Sequence, residues 1–277
     1  MTAPALPLRL VTASPRPLAT VPASAGPTVS LVTVTFGTGP IITDSVSSLV
    51  ASLASTPVDY EFLVVDNAHP TAAEFTVNTL LLTTRGVRVV RSPTNLGFGG
   101  GCELGVRRSS GEIIAFVNPD VTYEPGWIEP LLEQLARPGV SIVAPVLLNP
   151  DGSVQAAGQR LWNDGSTAAI TTAPDPGDVI EPDYASAACW LVRRDEHERI
   201  GGFDPAFFPA YYEDVDYGLR ARSTGGATVV VGSSRVVHHK GGSTDAGEAP
   251  DTTPQRRLLL DRWPDLATTQ PPPPADS

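Results

Sequence analysis

Gly111-Glu112-Ile113-Ile114-Ala115-Phe116-Val117-Asn118-Pro119-Asp120-Val121 is the stretch that decides how the chain is read. Five consecutive apolar residues between a glycine and an Asn-Pro breaker describe a short strand buried on both faces, as in the interior of a parallel sheet. The apolar run then stops abruptly. Asn118 and Asp120 stand at i, i+2 just beyond it, and Pro119 between them removes a ladder donor and stiffens the turn. Polar groups at the carboxyl end of such a strand face the crevice in which open α/β sheets bind ligands. Asn-Pro-Asp is also sound turn chemistry in its own right, so the rest of the chain has to decide between a site and a turn.

Toward the amino terminus, strands and helices alternate. Residues 29–36 are β-branched and apolar and break at Gly37-Thr38-Gly39-Pro40, which predicts a first strand. Ile41, Val46, Leu49, Val50 and Leu53 recur at helical spacing over 41–55, and 60–67 reads as a second strand ending in Asp66-Asn67. A weaker helix is expected over 71–82 and a short third strand over 87–90. Asn95-Leu96-Gly97-Phe98-Gly99-Gly100-Gly101-Cys102-Glu103-Leu104-Gly105 then forms a glycine-rich turn leading into a helix that runs to about 109. This alternation implies right-handed βαβ units and a mainly parallel central sheet flanked by helices, an α/β fold. The turn is a poor dinucleotide fingerprint, because Cys102 stands where a third glycine is needed and the turn follows the third strand rather than the first.

Toward the carboxyl terminus, a helix over 124–136 begun by Pro125 and a strand over 141–148 lead to the hairpin turn Asn149-Pro150-Asp151-Gly152. Residues 163–183, rich in Pro, Asp and Thr, are expected to be a mobile loop. A buried strand over 185–192 and a short helix over 194–200, stopped by Gly201-Gly202, follow. An aromatic run leads to a helix opening with Glu213-Asp214-Val215-Asp216, and extended segments at 228–231 and 235–237 end at His238-His239. Each feature has a plain explanation. Acids in a first helical turn complement the helix dipole, Asp216 with Arg220 is an i, i+4 pair, and a His pair at a turn is often structural.

Length and composition set outer limits. At 277 residues with 41% hydrophobic and 18% charged side chains, the chain suits one large globular domain. Residues 29–244 are read as that domain, in two parts at 29–121 and 122–244. Residues 1–28 carry Pro4, Pro7, Pro15, Pro17, Pro22 and Pro27 and read as a disordered leader without the apolar stretch of a secretory signal. Residues 245–277 read as a Pro-rich disordered tail, apart from a short helix around 255–263. No run approaches the roughly 18 apolar residues of a transmembrane segment. Cys102 and Cys189 fit no disulfide or metal framework, which makes a cytoplasmic location the default. Nineteen basic against thirty acidic residues, a net charge of −11, argue against a nucleic-acid surface. A phosphorylated ligand would need a metal, helix N-termini, or the cluster Arg85, Arg88, Arg91, Arg107 and Arg108.

Taken together, Val64-Val65-Asp66-Asn67, Asn95-Leu96-Gly97-Phe98-Gly99, Asn118-Pro119-Asp120-Val121, Gly201-Gly202-Phe203-Asp204, Glu213-Asp214-Val215-Asp216 and Val237-His238-His239 resemble, in order and spacing, the family 2 glycosyltransferases of the GT-A fold. The likeness is strongest to their bacterial rhamnosyltransferase-like branch and covers nearly the whole domain. It implies a nucleotide-diphosphate sugar donor, with dTDP-rhamnose one candidate, and a glycan or lipid-linked acceptor in cell-surface polysaccharide synthesis. It implies that Thr35, Asp66, Asn95, Gly97, Phe98, Gly99 and Asn118 line the donor pocket, the glycines by permitting close backbone approach. Asp120 then holds Mg²⁺ or Mn²⁺ on the diphosphate, with one of His238 and His239 completing the shell. Asp214 is the base with Glu213 beside it, and a single base with a metal implies inversion by direct displacement. The chain departs from the family at Phe36-Gly37, where Tyr-Asn is common, and at Glu103, where Asn is common. A carboxylate there is expected to disturb an anionic ligand. These departures keep open a non-catalytic sugar-nucleotide-binding protein on the same fold. A sugar nucleotidyltransferase ranks lower for want of a basic, glycine-rich loop near the first strand.

Overall fold

The computed structural model describes residues 29–38, 40–68, 84, 86–172, 174–240 and 251–274. β1 (Val29–Thr35), α1 (Ile41–Leu53), β2 (Tyr60–Asn67), β3 (Val87–Ser92), α2 (Gly97–Arg107) and β4 (Ile113–Val117) build the first half. β4, β1, β2 and β3 lie side by side and parallel. Every residue of β4 is buried, as an apolar run covered on both faces requires. The helix expected over 71–82 lies outside the described residues, as does the leader at 1–28.

The second half contains β5 (Val121–Thr122), α3 (Glu129–Leu135), β6 (Val140–Leu148), β7 (Val154–Ala156), β8 (Gln159–Leu161), β9 (Thr167–Ala169), β10 (Val179–Ile180), β11 (Cys189–Arg193), α4 (Arg194–Ile200), α5 (Glu213–Ser223) and β12 (Ala227–His238). The sheet runs β10-β12-β6-β11-β4-β1-β2-β3, with β5 on β12 and β7 on β6. β11 is antiparallel to both β4 and β6, so β6 and its parallel partner β12 again run with β4. The carboxyl ends of β1, β2, β4 and β12 therefore open on one edge. Residues from both halves meet there.

Three expectations differ from what forms. The helix after β4 starts at Glu129 rather than 124, because Gly126 takes φ +89° and the following Trp127 turns inward, its indole donating to Ser52 Oγ at 3.1 Å. Residues 163–183 are anchored rather than loose. β8 pairs β9, β10 pairs β12, Asp183 accepts from the Leu161 amide at 3.0 Å, and Gly232 donates to the Asp178 carbonyl at 3.0 Å. Finally, the short helix expected around 255–263 forms as α6 (Thr253–Arg262), but the described part of the tail around it is ordered too, with α7 (Leu266–Thr269) following and both helices docked through buried Leu259 and Leu266. The tail's described prolines lie at the start of α6, at Pro264 between α6 and α7, and beyond α7, where they do not break a helix.

The glycines of α2 seat that helix on β1. A Cβ on Gly101 would stand 2.6 Å from Val34 Cγ1, and one on Gly105 2.3 Å from Val32 Cγ1. Gly105→Ala is therefore expected to destabilise the fold. A mid-helix Gly→Ala change gains about 1 kcal/mol of propensity, but overpacking against fully buried Val32 costs about 1–3 kcal/mol. A lower urea midpoint is the expected result, and an unchanged or raised one contradicts this packing.

Candidate active site

Parallel pairing sets Thr35 opposite Asp66 and Asp66 opposite Arg91, so the first three strand ends form a row. Thr35 is wholly buried, and Asp66 is 6% exposed with Arg91 Nε 3.4 Å from its Oδ2. Asn67 ties this row to the glycine-rich turn. Its Nδ2 donates to Asn95 Oδ1 and to the Gly97 carbonyl, both at 3.0 Å, and its Oδ1 accepts from the Leu96 amide at 2.9 Å. Asn95 Oδ1 also accepts from the Gly97 amide at 2.8 Å.

On its far side the turn is held by the segment after Gly202. Phe98 N donates to the Pro209 carbonyl at 2.8 Å, and the Phe98 ring meets Phe203 edge-on at 5.8 Å. A Cβ on Gly97 would lie 2.6 Å from that same Pro209 oxygen, and one on Gly99 2.9 Å from Phe203 Cβ. The close approach these glycines allow is thus taken up by the protein itself.

Beyond β4, the Asn118 amide donates to the Ala188 carbonyl at 2.8 Å. The next residue back, Ala187, donates its amide to Asp214 Oδ2 at 3.4 Å. Two backbone links thus join the Asn118-Pro119-Asp120 turn to the start of α5. Asp120 is 1% exposed, and its carbonyl accepts from the His239 amide at 2.8 Å. His238 Nε2 lies 3.3 Å from Asp120 Oδ1, whereas the His239 ring turns to Thr122 Oγ1 at 3.2 Å. The two neighbouring histidines therefore have different surroundings, and His238 is the one whose ring meets Asp120.

Gln155 orients that ring. Its Nε2 donates to Asn149 Oδ1 and to the His238 carbonyl, both at 3.0 Å, which leaves Oε1 to accept from His238 Nδ1 at 2.7 Å. With Nδ1 carrying the proton, a neutral imidazole turns the Nε2 lone pair toward Asp120. Two adjacent donors of an octahedral ion with bonds of about 2.1 Å sit about 3 Å apart, so the pair fits a divalent cation. Among the described residues, no cluster of three or more His, Cys, Asp or Glu side chains surrounds this point. A bound ion would complete its shell from diphosphate oxygens and water, as magnesium sites do.

Glu213 and Asp214 open α5 after two non-glycine residues in the left-handed region, Tyr211 at φ +77° and Tyr212 at φ +68°. Each such residue costs about 1–3 kcal/mol, and strain of this kind gathers where geometry is held for function. Burial pushes both carboxyls above the ordinary range, and the charge of Asp214 raises Glu213 further. Asp214 keeps two amide donors, Val215 N at 2.9 Å and Ala187 N, which favour its anion. Glu213 Oε2 is buried without a hydrogen-bond partner. Asp214 is therefore the carboxylate of the pair and Glu213 the group that holds a proton.

A carboxyl raised by burial stabilises the fold while protonated and loses that contribution as pH climbs through its raised value. Glu213→Gln is expected to match the native protein in buffer more acidic than the ordinary glutamate value and to gain on it progressively as pH rises toward about 8, exceeding it by about 1–3 kcal/mol in alkaline buffer. Denaturant midpoints measured across that range check this. A constant difference contradicts the buried-proton assignment.

The two departures have structural explanations. Gly37 takes φ +68°, a conformation that glycine adopts without a Cβ penalty. Glu103 turns to the Gly201-Gly202-Phe203 turn, where Oε1 accepts from the Phe203 amide at 2.8 Å and lies 3.1 Å from His197 Nε2. Burial raises this carboxyl, but His197 and the Phe203 amide outweigh that and hold it below its usual value. Both its partners are groups of the fold. Asn67, Gln155 and His197 carry no role that the sequence pattern shows. Asn67 lay inside a motif, but the partners of the other two are distant in the chain and leave no periodic trace.

A mainly parallel sheet with acids at its strand ends and a two-acid helix across the crevice is the architecture of GT-A glycosyltransferases. GalNAc-T7, solved with UDP, GalNAc and Mn²⁺, superposes with a TM-score of 0.68 at 15% identity, over 86% of this chain and 48% of that one. The mannosyltransferase PcManGT from Pyrobaculum calidifontis, solved with GDP-Man and Mn²⁺, superposes at 0.59 and 16% identity, over 92% and 74%. The chain belongs to glycosyl transferase family 2, whose profile matches residues 30–201, and it is a glycosyltransferase. It is 32% identical over 243 residues to the N-acetylglucosaminyl-diphospho-decaprenol L-rhamnosyltransferase of Mycobacterium tuberculosis, covering 77% of this chain and 76% of the relative. It is also 31% identical over 156 residues to the O-antigen biosynthesis protein RfbC of Myxococcus xanthus, over 52% of this chain and 12% of that protein. Among the described residues no helix is long and apolar enough to cross a membrane.

Proposed function

We propose that the protein is an inverting, metal-dependent glycosyltransferase that moves L-rhamnose from dTDP-rhamnose to the N-acetylglucosamine of a lipid-linked diphosphate sugar. It acts at the cytoplasmic face of the membrane in cell-surface polysaccharide synthesis. The observation that carries the mechanism is the pairing of Asp120 with His238 at one end of the Asn118–Ala188 and Ala187–Asp214 links, with a buried carboxylate at the other. The name of the mycobacterial relative supports the choice of sugar and acceptor.

In this reading Thr35 and Asp66 contact the base and ribose, and the 95–99 turn and Asn118 border the diphosphate. Asp120 and His238 would hold Mg²⁺ or Mn²⁺, which when bound would offset the charge developing on the departing nucleotide diphosphate. Asp214 takes the proton of the acceptor hydroxyl as that oxygen attacks the anomeric carbon. Glu213, kept protonated, adds no second negative charge beside the forming alkoxide. One carboxylate on the attacking side suffices for a single displacement, so the configuration inverts.

A thermal-shift screen against dTDP, UDP and GDP sugars, each with Mg²⁺, Mn²⁺ or EDTA, tests the donor side. The expected result is a metal-dependent rise with dTDP-rhamnose exceeding that with the others. A rise with UDP or GDP sugars alone replaces the donor, and equal rises in EDTA remove the metal.

A further inference from the structure

The tail helix is tied to the helix that carries the acids. Two residues on from Asp214, Asp216 projects from roughly the opposite side of α5 and is fully buried. Three donors meet its carboxylate: Arg220 Nε at 2.8 Å, Trp263 Nε1 at 3.0 Å and Arg262 Nη1 at 3.2 Å. Arg262 and Trp263 stand at the end of α6, far along the chain.

Arg262 makes a second attachment. Its Nη1 is 2.8 Å from Asp204 Oδ2, and its guanidinium lies over the Phe207 ring at 5.3 Å. Asp204 and Phe207 belong to the segment whose Pro209 carbonyl holds the Phe98 amide of the glycine-rich turn. One side chain thus bridges the support of the donor-side turn and the reverse side of the catalytic helix.

We propose that Arg262 and Trp263 are positioning residues for sugar transfer, fixing α5 and the 203–209 segment as one body so that Asp214 meets the acceptor at a set distance from the donor. The proposal rests on the reading of Asp214 as the base. The physical need is strict, because misplacement of a reacting group by about 1 Å costs about 100-fold in rate. The anchor is also sensitive to loss of one partner, since a buried carboxylate deprived of a donor is left underpaired.

Arg262→Met, Arg262→Lys and Trp263→Phe, with Asp214→Asn as reference, test this with dTDP-rhamnose and N-acetylglucosaminyl-diphospho-decaprenol. Hydrogen exchange of each full-length protein is followed in parallel. Arg262→Met is expected to lower kcat about 10- to 100-fold with the donor KM within about 3-fold, and Arg262→Lys to restore part of the loss. Trp263→Phe, which keeps the ring and removes one donor, is expected to fall between them. Exchange in Arg262→Met should quicken together at 96–99 and 213–216. Wild-type kcat in Arg262→Met, or faster exchange confined to the tail, overturns the proposal while a dead Asp214→Asn leaves the base assignment standing. An active Asp214→Asn overturns both.

Discussion

Asp214→Asn is expected to lower the transfer rate by about 100- to 10,000-fold while nucleotide-sugar affinity stays within about 3-fold of the native value. The amide keeps the shape of the side chain, and its single oxygen can still accept from Val215 N, the shorter of the two contacts at 2.9 Å, while the longer contact from Ala187 N at 3.4 Å is lost, so the first turn of α5 should hold its place. What it loses is the capacity to take a proton. Because burial raises the native carboxyl, kcat/KM of the native enzyme should climb with pH through a value above the ordinary aspartate range. The expected pattern is a collapse in kcat with unchanged donor binding by calorimetry. Substantial turnover by the variant would pass the role of base to another group, with its neighbour Glu213 the first to examine.

The second large effect is expected at the other end of the site. Asp120→Ala should weaken donor binding in Mg²⁺ or Mn²⁺ by more than about 100-fold, since outer partners of metal ligands alone commonly account for 10–100-fold. In EDTA the native protein and the variant should bind the donor equally weakly. His238→Ala should follow the same pattern more mildly. His239→Ala should not, because the His239 ring faces Thr122 rather than Asp120. Equal donor affinity of Asp120→Ala and the native protein in the presence of metal would remove Asp120 from the metal shell.

Much of this arrangement was legible from local pattern. The apolar run 113–117 ended by Asn-Pro-Asp reads as an interior strand, with the site or turn beyond it decided by the rest of the chain, and β4 has that place. Gly201-Gly202 reads as a helix stop because glycine enters the left-handed region without a Cβ penalty, and Gly201 takes φ +94°. The functions of the glycines at 97–105 were less legible. Composition announces close approach without naming the partner, and the partners proved to be Val34, Val32, Phe203 and Pro209.

The tail misled for a related reason. Its prolines and polar residues suggest disorder, but Arg262 and Trp263 find a buried carboxylate 46 and 47 residues earlier in the chain, a pairing no window of sequence displays. The choice between adjacent histidines was equally unreadable. It depends on Gln155, which reaches His238 across 83 residues.

The most direct test of the whole account is to incubate the purified protein with dTDP-rhamnose, Mg²⁺ and N-acetylglucosaminyl-diphospho-decaprenol, and to determine the anomeric configuration of any product by NMR. The account predicts a metal-dependent rhamnosyl product whose anomeric configuration is opposite to that of the donor. A product with retained configuration, or one formed equally well in EDTA, would contradict single displacement by an Asp214-activated hydroxyl on a metal-bound donor.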